Sequence, residues 1–225
     1  MKKLYRIFLF VIAMMLASTA FTQKRFPQFS LATDLGFQHS FKKEQRYSAG
    51  GHTVHGIFHT DSRNAVYAWL SYYSAGKFHN DLTATAKLPA TSPQQIGYRN
   101  NASMRFKHLS LGWRRFINGN YDDESGHLYG YAGLGILLGR VDNTHSVSID
   151  TADYNVPVRA GKANFKRLTA DLGFGYEGHM GANIYWYAEG RAWIPTTDFP
   201  SKYIFVNENA PLVGMFNLGI RILFE

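Results

Sequence analysis

The stretch Gly214-Met215-Phe216-Asn217-Leu218-Gly219-Ile220-Arg221-Ile222-Leu223-Phe224-Glu225 decides the fold. Leu212, Phe216, Leu218, Ile220, Ile222 and Phe224 fall on one parity, while Met215, Asn217, Gly219 and Arg221 fall on the other. Successive side chains of a strand point to opposite faces, so this segment pairs an apolar face with a mostly polar one. Such a strand wants hydrocarbon on one side and a polar interior on the other.

The same two-residue period recurs upstream. Alternation and turn residues predict eight strands, at about 29–42, 52–60, 65–77, 103–116, 127–141, 166–179, 183–194 and 212–224. In the first, Leu31, Thr33, Leu35, Phe37 and Phe41 oppose Ser30, Ala32, Asp34, Gly36, Gln38 and Ser40. In the sixth, Leu168, Ala170, Leu172, Phe174 and Tyr176 oppose Thr169, Asp171, Gly173, Gly175 and Glu177. In the seventh, Ile184, Trp186, Ala188, Ala192 and Ile194 oppose Tyr185, Tyr187, Glu189 and Arg191. Each strand suffices to cross a tilted span, which takes ~9–11 residues. The connections alternate in length: 61–64, 117–126 and 180–182 are short, whereas 78–102, 142–165 and 195–211 are long and rich in Asn, Asp, Ser, Thr, Pro and Gly. Short turns at one end and long loops at the other are the habit of barrels that cross a membrane. A soluble sandwich has no reason for that asymmetry.

The other end of the chain reads as an export signal. Lys2, Lys3 and Arg6 precede an apolar stretch from Leu4 to Leu16, and Ser18-Thr19-Ala20 supplies small residues for cleavage near Ala20. The expected organisation is a signal peptide at 1–20, a short periplasmic segment at 21–28 and a barrel over 29–225. There is no Cys, so stability cannot come from disulfides and a lipid-modified cysteine is excluded. No later segment approaches 18 consecutive apolar residues, which excludes a helical membrane protein. Three charges of the formal +8 belong to the leader, and the remaining +5 is too diffuse to predict nucleic-acid binding. The chain carries 14 Tyr, 17 Phe and 4 Trp, enough to furnish interfacial belts.

The C-terminal run also resembles the assembly signal of Gram-negative outer-membrane β-barrels, with Asn217, Gly219, Ile222 and Phe224 filling its four places and Glu225 following the usual terminal aromatic. The whole chain resembles the small eight-stranded outer-membrane barrels, OmpA/OmpX-like and PorT-like. That resemblance implies an all-β, antiparallel, up-and-down transmembrane barrel in the cell outer membrane. It implies insertion by the barrel-assembly machinery, contact with outer-membrane lipid and lipopolysaccharide, and a monomer without cofactor.

Several polar groups are candidates for chemistry. Asp34, Arg114, Asp171, Glu177, Glu189, Arg191 and Arg221, with Gln38 and Asn217, fall on the inward parity. An eight-stranded barrel is just wide enough for side chains to fill it, so these charges are expected to pair and plug the lumen. Among nine histidines, His52, His55 and His59 have spacing that suits a helix; on a strand His52 and His55 point apart, and no metal site is expected. His108 and Ser110 share a face of the fourth strand and resemble, weakly, the His-x-Ser element of lipid A deacylases, although Leu111 stands where that family has Asn. Leu109, Leu111 and Trp113 would turn that pair into the lumen. Arg105 and Lys107, on the outward parity, either contact lipopolysaccharide phosphates or belong to the preceding loop. The leading expectation is a non-enzymatic barrel with a structural, adhesion or surface-binding role through its long loops. The alternatives are a deacylase-like lipid A-modifying enzyme, a narrow pore and a soluble lipocalin-like binder.

Overall fold

The computed structural model describes residues 28–41, 45–197 and 212–224. The expected leader at 1–20, Glu225 and most of the loop expected at 195–211 lie outside these described residues. Nine strands follow in chain order: β1 (Gln28–Ser40), β2 (Ser48–His59), β3 (Asn64–Ala86), β4 (Gln95–Phe116), β5 (His127–His145), β6 (Tyr154–Asn155), β7 (Gly161–Gly181), β8 (Ile184–Pro195) and β9 (Val213–Phe224). Eight of them close a ring in the order β1, β2, β3, β4, β5, β7, β8, β9 and back to β1, every pair antiparallel. The two-residue β6 lies outside the ring and pairs with the far end of β3. The closing seam aligns Phe29 with Phe224 and Ser40 with Val213 without a break.

Closure sorts the side chains by parity. Leu35, Val54, Leu70, Leu111, Leu134, Leu172, Trp186 and Leu218 all face out and are exposed, and they belong to a belt that runs round all eight strands. Water would penalise so continuous an apolar surface, which far exceeds the few hundred Å² that soluble monomers tolerate. Hydrocarbon removes the penalty. The inward parity is aromatic and charged instead, with Tyr67, Tyr129, Tyr187, Trp69 and Trp193 buried beside the ion pairs described below.

Four strands run past the expected boundaries: most of the loop expected at 78–102 is strand, and so are both ends of the one expected at 142–165 together with β6. β3 and β4 pair from Gly76 with Met104 up to Thr85 with Gln95, and β5 pairs with β7 as far as Asn143 with Gly161. The physical reason is that both faces of this extension lie beyond the apolar belt. No lipid demands an apolar parity there, so the dyad fades from the sequence. A bulge between Tyr73 and Gly76, with Ala75 at φ 65°, further switches the inward parity of β3 from odd to even residues. The extension has its own small core of Ala84, Tyr98 and Tyr154, with Leu82, Ile96 and Val156 against it. Lys87 secures it by donating to the carbonyls of Thr151 and Ala152 at 2.6 and 2.9 Å.

Leu134 is 72% exposed, so a charge placed there removes little internal packing. Leu134→Arg is expected to lose about 2–4 kcal/mol in equilibrium urea unfolding from lipid vesicles, whereas Thr144→Arg, above the belt, changes stability by under about 1 kcal/mol. Equal, small effects at both positions would mean that Leu134 faces water.

Candidate functional site

Two ion clusters fill the lumen. Near the short-turn end, Glu177 from β7 accepts from Arg114 Nη2 of β4 at 2.6 Å, Arg221 Nη2 of β9 at 2.5 Å and His127 Nε2 of β5 at 3.1 Å. Arg221 also donates to Ser30 Oγ at 2.9 Å and to the Tyr121 carbonyl at 2.6 Å. The guanidinium faces are covered as well: Arg114 lies 3.5 Å from the Tyr129 ring centre and Arg221 lies 4.1 Å from that of Tyr185. One carboxylate thus joins three strands that are far apart in sequence.

The second cluster sits higher, around Arg191 of β8. Its guanidinium donates to Asp34 Oδ2 of β1 at 2.5 Å, to Thr53 Oγ1 of β2 at 3.0 Å and to the neighbouring Glu189. Asp34 further accepts from Asn217 Nδ2 at 2.7 Å and Tyr187 hydroxyl at 3.0 Å, and His55 Nε2 lies 2.8 Å away. Tyr129 donates to Glu189 at 2.9 Å. Asp34, His55 and Glu189 offer three ligand atoms within 4.8 Å of one another, a spacing that a cation could use. Arg191 already lies among them, and its permanent charge meets the carboxylates that a metal would need.

His108 occupies a third position on the wall. Its Nδ1 accepts from the Trp69 indole at 3.1 Å, its Nε2 lies 2.9 Å from Thr169 Oγ1 and 3.4 Å from Asp171, and its ring stacks on Trp193 at 4.1 Å between centres. Gly135 makes room for it, since a Cβ there would meet both the imidazole and the Asp171 carboxylate. Ser110 instead donates to the Leu134 carbonyl at 3.3 Å. Both side chains are buried, at 0% and 1% exposure, and His108 spends both ring nitrogens on other partners. No nucleophile–base pair is assembled here.

The seven charged residues expected on the inward parity are all buried, together with Gln38 and Asn217. Sequence reasoning missed His55, His59, His127 and Arg167 as members of the same interior. Their parity with Thr53, Tyr129 and Thr169 carried the signal. Arg105 and Lys107 belong to the wall of β4, not to the loop before it, because the strand begins at Gln95.

No protein-family model matches the chain, and no curated sequence does either. Among solved structures it is similar to Neisserial surface protein A, at 9% identity over 87% of this chain and 97% of that one, with a TM-score of 0.53. It is similar as well to a major outer membrane protein from Thermus thermophilus, at 12% identity over 87% of this chain and 99% of that one, with a TM-score of 0.52. The fold is that of the small outer-membrane β-barrels. The barrel has eight strands, as its ring order shows, and the charged interior fills a cylinder too narrow for a wide channel.

Removing one partner from such a barrel's buried cluster strands the others. Glu177→Gln leaves Arg114 and Arg221 without their carboxylate and is expected to cost about 3–5 kcal/mol in vesicle unfolding titrations. A change below about 1 kcal/mol would mean that water, not Glu177, neutralises the two guanidiniums.

Proposed function

We propose that the chain is an exported, monomeric outer-membrane protein whose plugged barrel holds a surface-binding or adhesion platform outside the cell. The observation that carries this reading is the outer extension: β3 and β4 rise past the apolar belt and end in a sheet with its own core around Ala84, Tyr98 and Tyr154. A barrel that serves only as an anchor gains nothing from ordering its loops in this way, because fixing backbone costs conformational entropy. A platform for recognition does gain, since a pre-ordered surface loses less freedom when it binds.

The export reading rests on the leader pattern at 1–20 and on the terminal run of Asn217, Gly219, Ile222 and Phe224, through which the barrel-assembly machinery would act. In this orientation the short turns face the periplasm and the extension faces outward. The barrel works as a scaffold: its ion pairs stiffen the wall and seal the lumen, and loop chemistry is left to the exposed sheet. Neither a pore nor a lipid A deacylase gains support, because the lumen is occupied by paired charges and Ser110 faces a backbone carbonyl.

An epitope tag inserted between Thr91 and Ser92, at the tip of the extension, is expected to bind antibody on intact cells. The purified protein is expected to give no steady conductance in planar bilayers. Labelling only after permeabilisation would reverse the orientation, and stepwise conductance would replace the scaffold with a pore.

A further inference from the structure

Directly above the apolar belt, three adjacent strands carry cations on their outward face. β4 presents Arg105 and Lys107, β5 presents Arg140 and β7 presents Lys166, all of them exposed. The registers fix their arrangement. Lys107 lies opposite Leu138, which lies opposite Lys166, so two lysines flank one leucine at the same height. One step farther from the short-turn end, Arg105 lies directly opposite Arg140. The next step the other way reads Leu109, Ile136 and Leu168, which is the top of the belt.

Like charges directly opposite one another on a sheet repel. Among the described residues, the outward carboxylates of β3, β4, β5 and β7 are Asp81 and Asp142, and each has its own cation. Arg99 Nε lies 2.7 Å from Asp81, and Lys162 Nζ lies 3.6 Å from Asp142. The Arg99 side chain holds the Asp81 carboxyl below its ordinary range, which marks that pair as already matched. Within the strands the cluster is confined to neighbouring members of the ring: no outward position of β1, β2, β8 or β9 is Lys or Arg, while β3 adds Lys77 one register step beyond Arg105.

We propose that Arg105, Lys107, Arg140 and Lys166 bind the phosphates of one bisphosphorylated glycolipid of the lipid A type, whose acyl chains lie on Leu109, Ile136 and Leu168. Lys107 and Lys166 stand two strand spacings apart, about 10 Å, so their flexible stems reach a phosphate from both sides. The two arginines present planar forks suited to phosphate oxygens. Four positive charges in so small a patch call for at least two phosphate groups, more than a single phosphodiester head group carries. This inference rests on the outward orientation proposed above for the extension.

The test uses protein expressed from its full-length gene and extracted from outer membranes in mild detergent. Native mass spectrometry then follows binding of bisphosphorylated lipid A, of the same lipid enzymatically freed of phosphate, and of inorganic phosphate as competitor. The wild type is expected to prefer the phosphorylated lipid at least tenfold. The variant R105Q/K107Q/R140Q/K166Q is expected to lose that preference, R63Q/R115Q at the opposite end to keep it, and inorganic phosphate not to compete. Should the fourfold variant fail to fold, R105Q/R140Q and K107Q/K166Q are expected to show partial losses. Equal binding of both lipids by the wild type, an unchanged preference in the variants, an equal loss in R63Q/R115Q, or displacement by inorganic phosphate would overturn the proposal. Heat-modifiable gel migration separates the two levels. An intact barrel without phosphate preference sinks this inference alone, whereas loss of the compact band from the wild type sinks the barrel reading.

Discussion

In hydrocarbon no water stands ready to pair with an exposed N–H or C=O, so a sheet can cross a membrane only if its first and last strands meet. Here that meeting is the β1–β9 seam, an unbroken antiparallel register from Phe29 with Phe224 to Ser40 with Val213. Everything else follows from it. Closure leaves each strand one face for lipid and one for the interior, and it sets the interior of an eight-stranded cylinder at about the width of its own side chains. The polar parity then has no bulk water to turn to.

The interior answers that shortage with side chains from strands distant in sequence. Glu177 draws Arg114 and Arg221 from across the barrel, and Arg191 draws Asp34 and Glu189. Glu177, Asp34 and Glu189 each accept at least two hydrogen bonds, which is the condition under which a buried ion is tolerable. Asp171, expected to pair with a guanidinium, instead lies beside His108 Nε2 at 3.4 Å, because Arg114, Arg191 and Arg221 are drawn to the other carboxylates. Stacked aromatic rings such as Tyr67 on Trp69, at 4.4 Å between centres, fill the space between the clusters. The same packing that satisfies the charges therefore also closes the lumen.

Much of this was legible in the residues alone, for a definite reason. A barrel strand must alternate wherever lipid touches it, so the parity of Leu218 against Asn217 or Phe174 against Glu177 is written by the membrane itself. Where lipid stops, the writing stops: residues 78–86 and 95–102 form strands without an apolar outward face, and turn-rich composition made them look like loop. The bulge at Ala75 left no mark in the sequence, because an alanine at positive φ announces nothing. Ion-pair partners were illegible too. That Asp34 would meet Arg191 depends on a separation of 157 positions closed only by the ring, and local spacing carries no information about it.

The closed cylinder depends on the seam. Thr33 and Ile220 face each other across it on the lipid side, and the chain contains no Cys to confuse a cross-link. In the double variant T33C/I220C, oxidised in membranes, a disulfide is expected, since opposed strand positions lie within the span a disulfide bridges. Boiled, unreduced protein would then migrate faster than reduced protein, as a polypeptide tied into one large loop. Two free thiols and a single band under both conditions would mean that the strands never meet and that the cylinder is not closed.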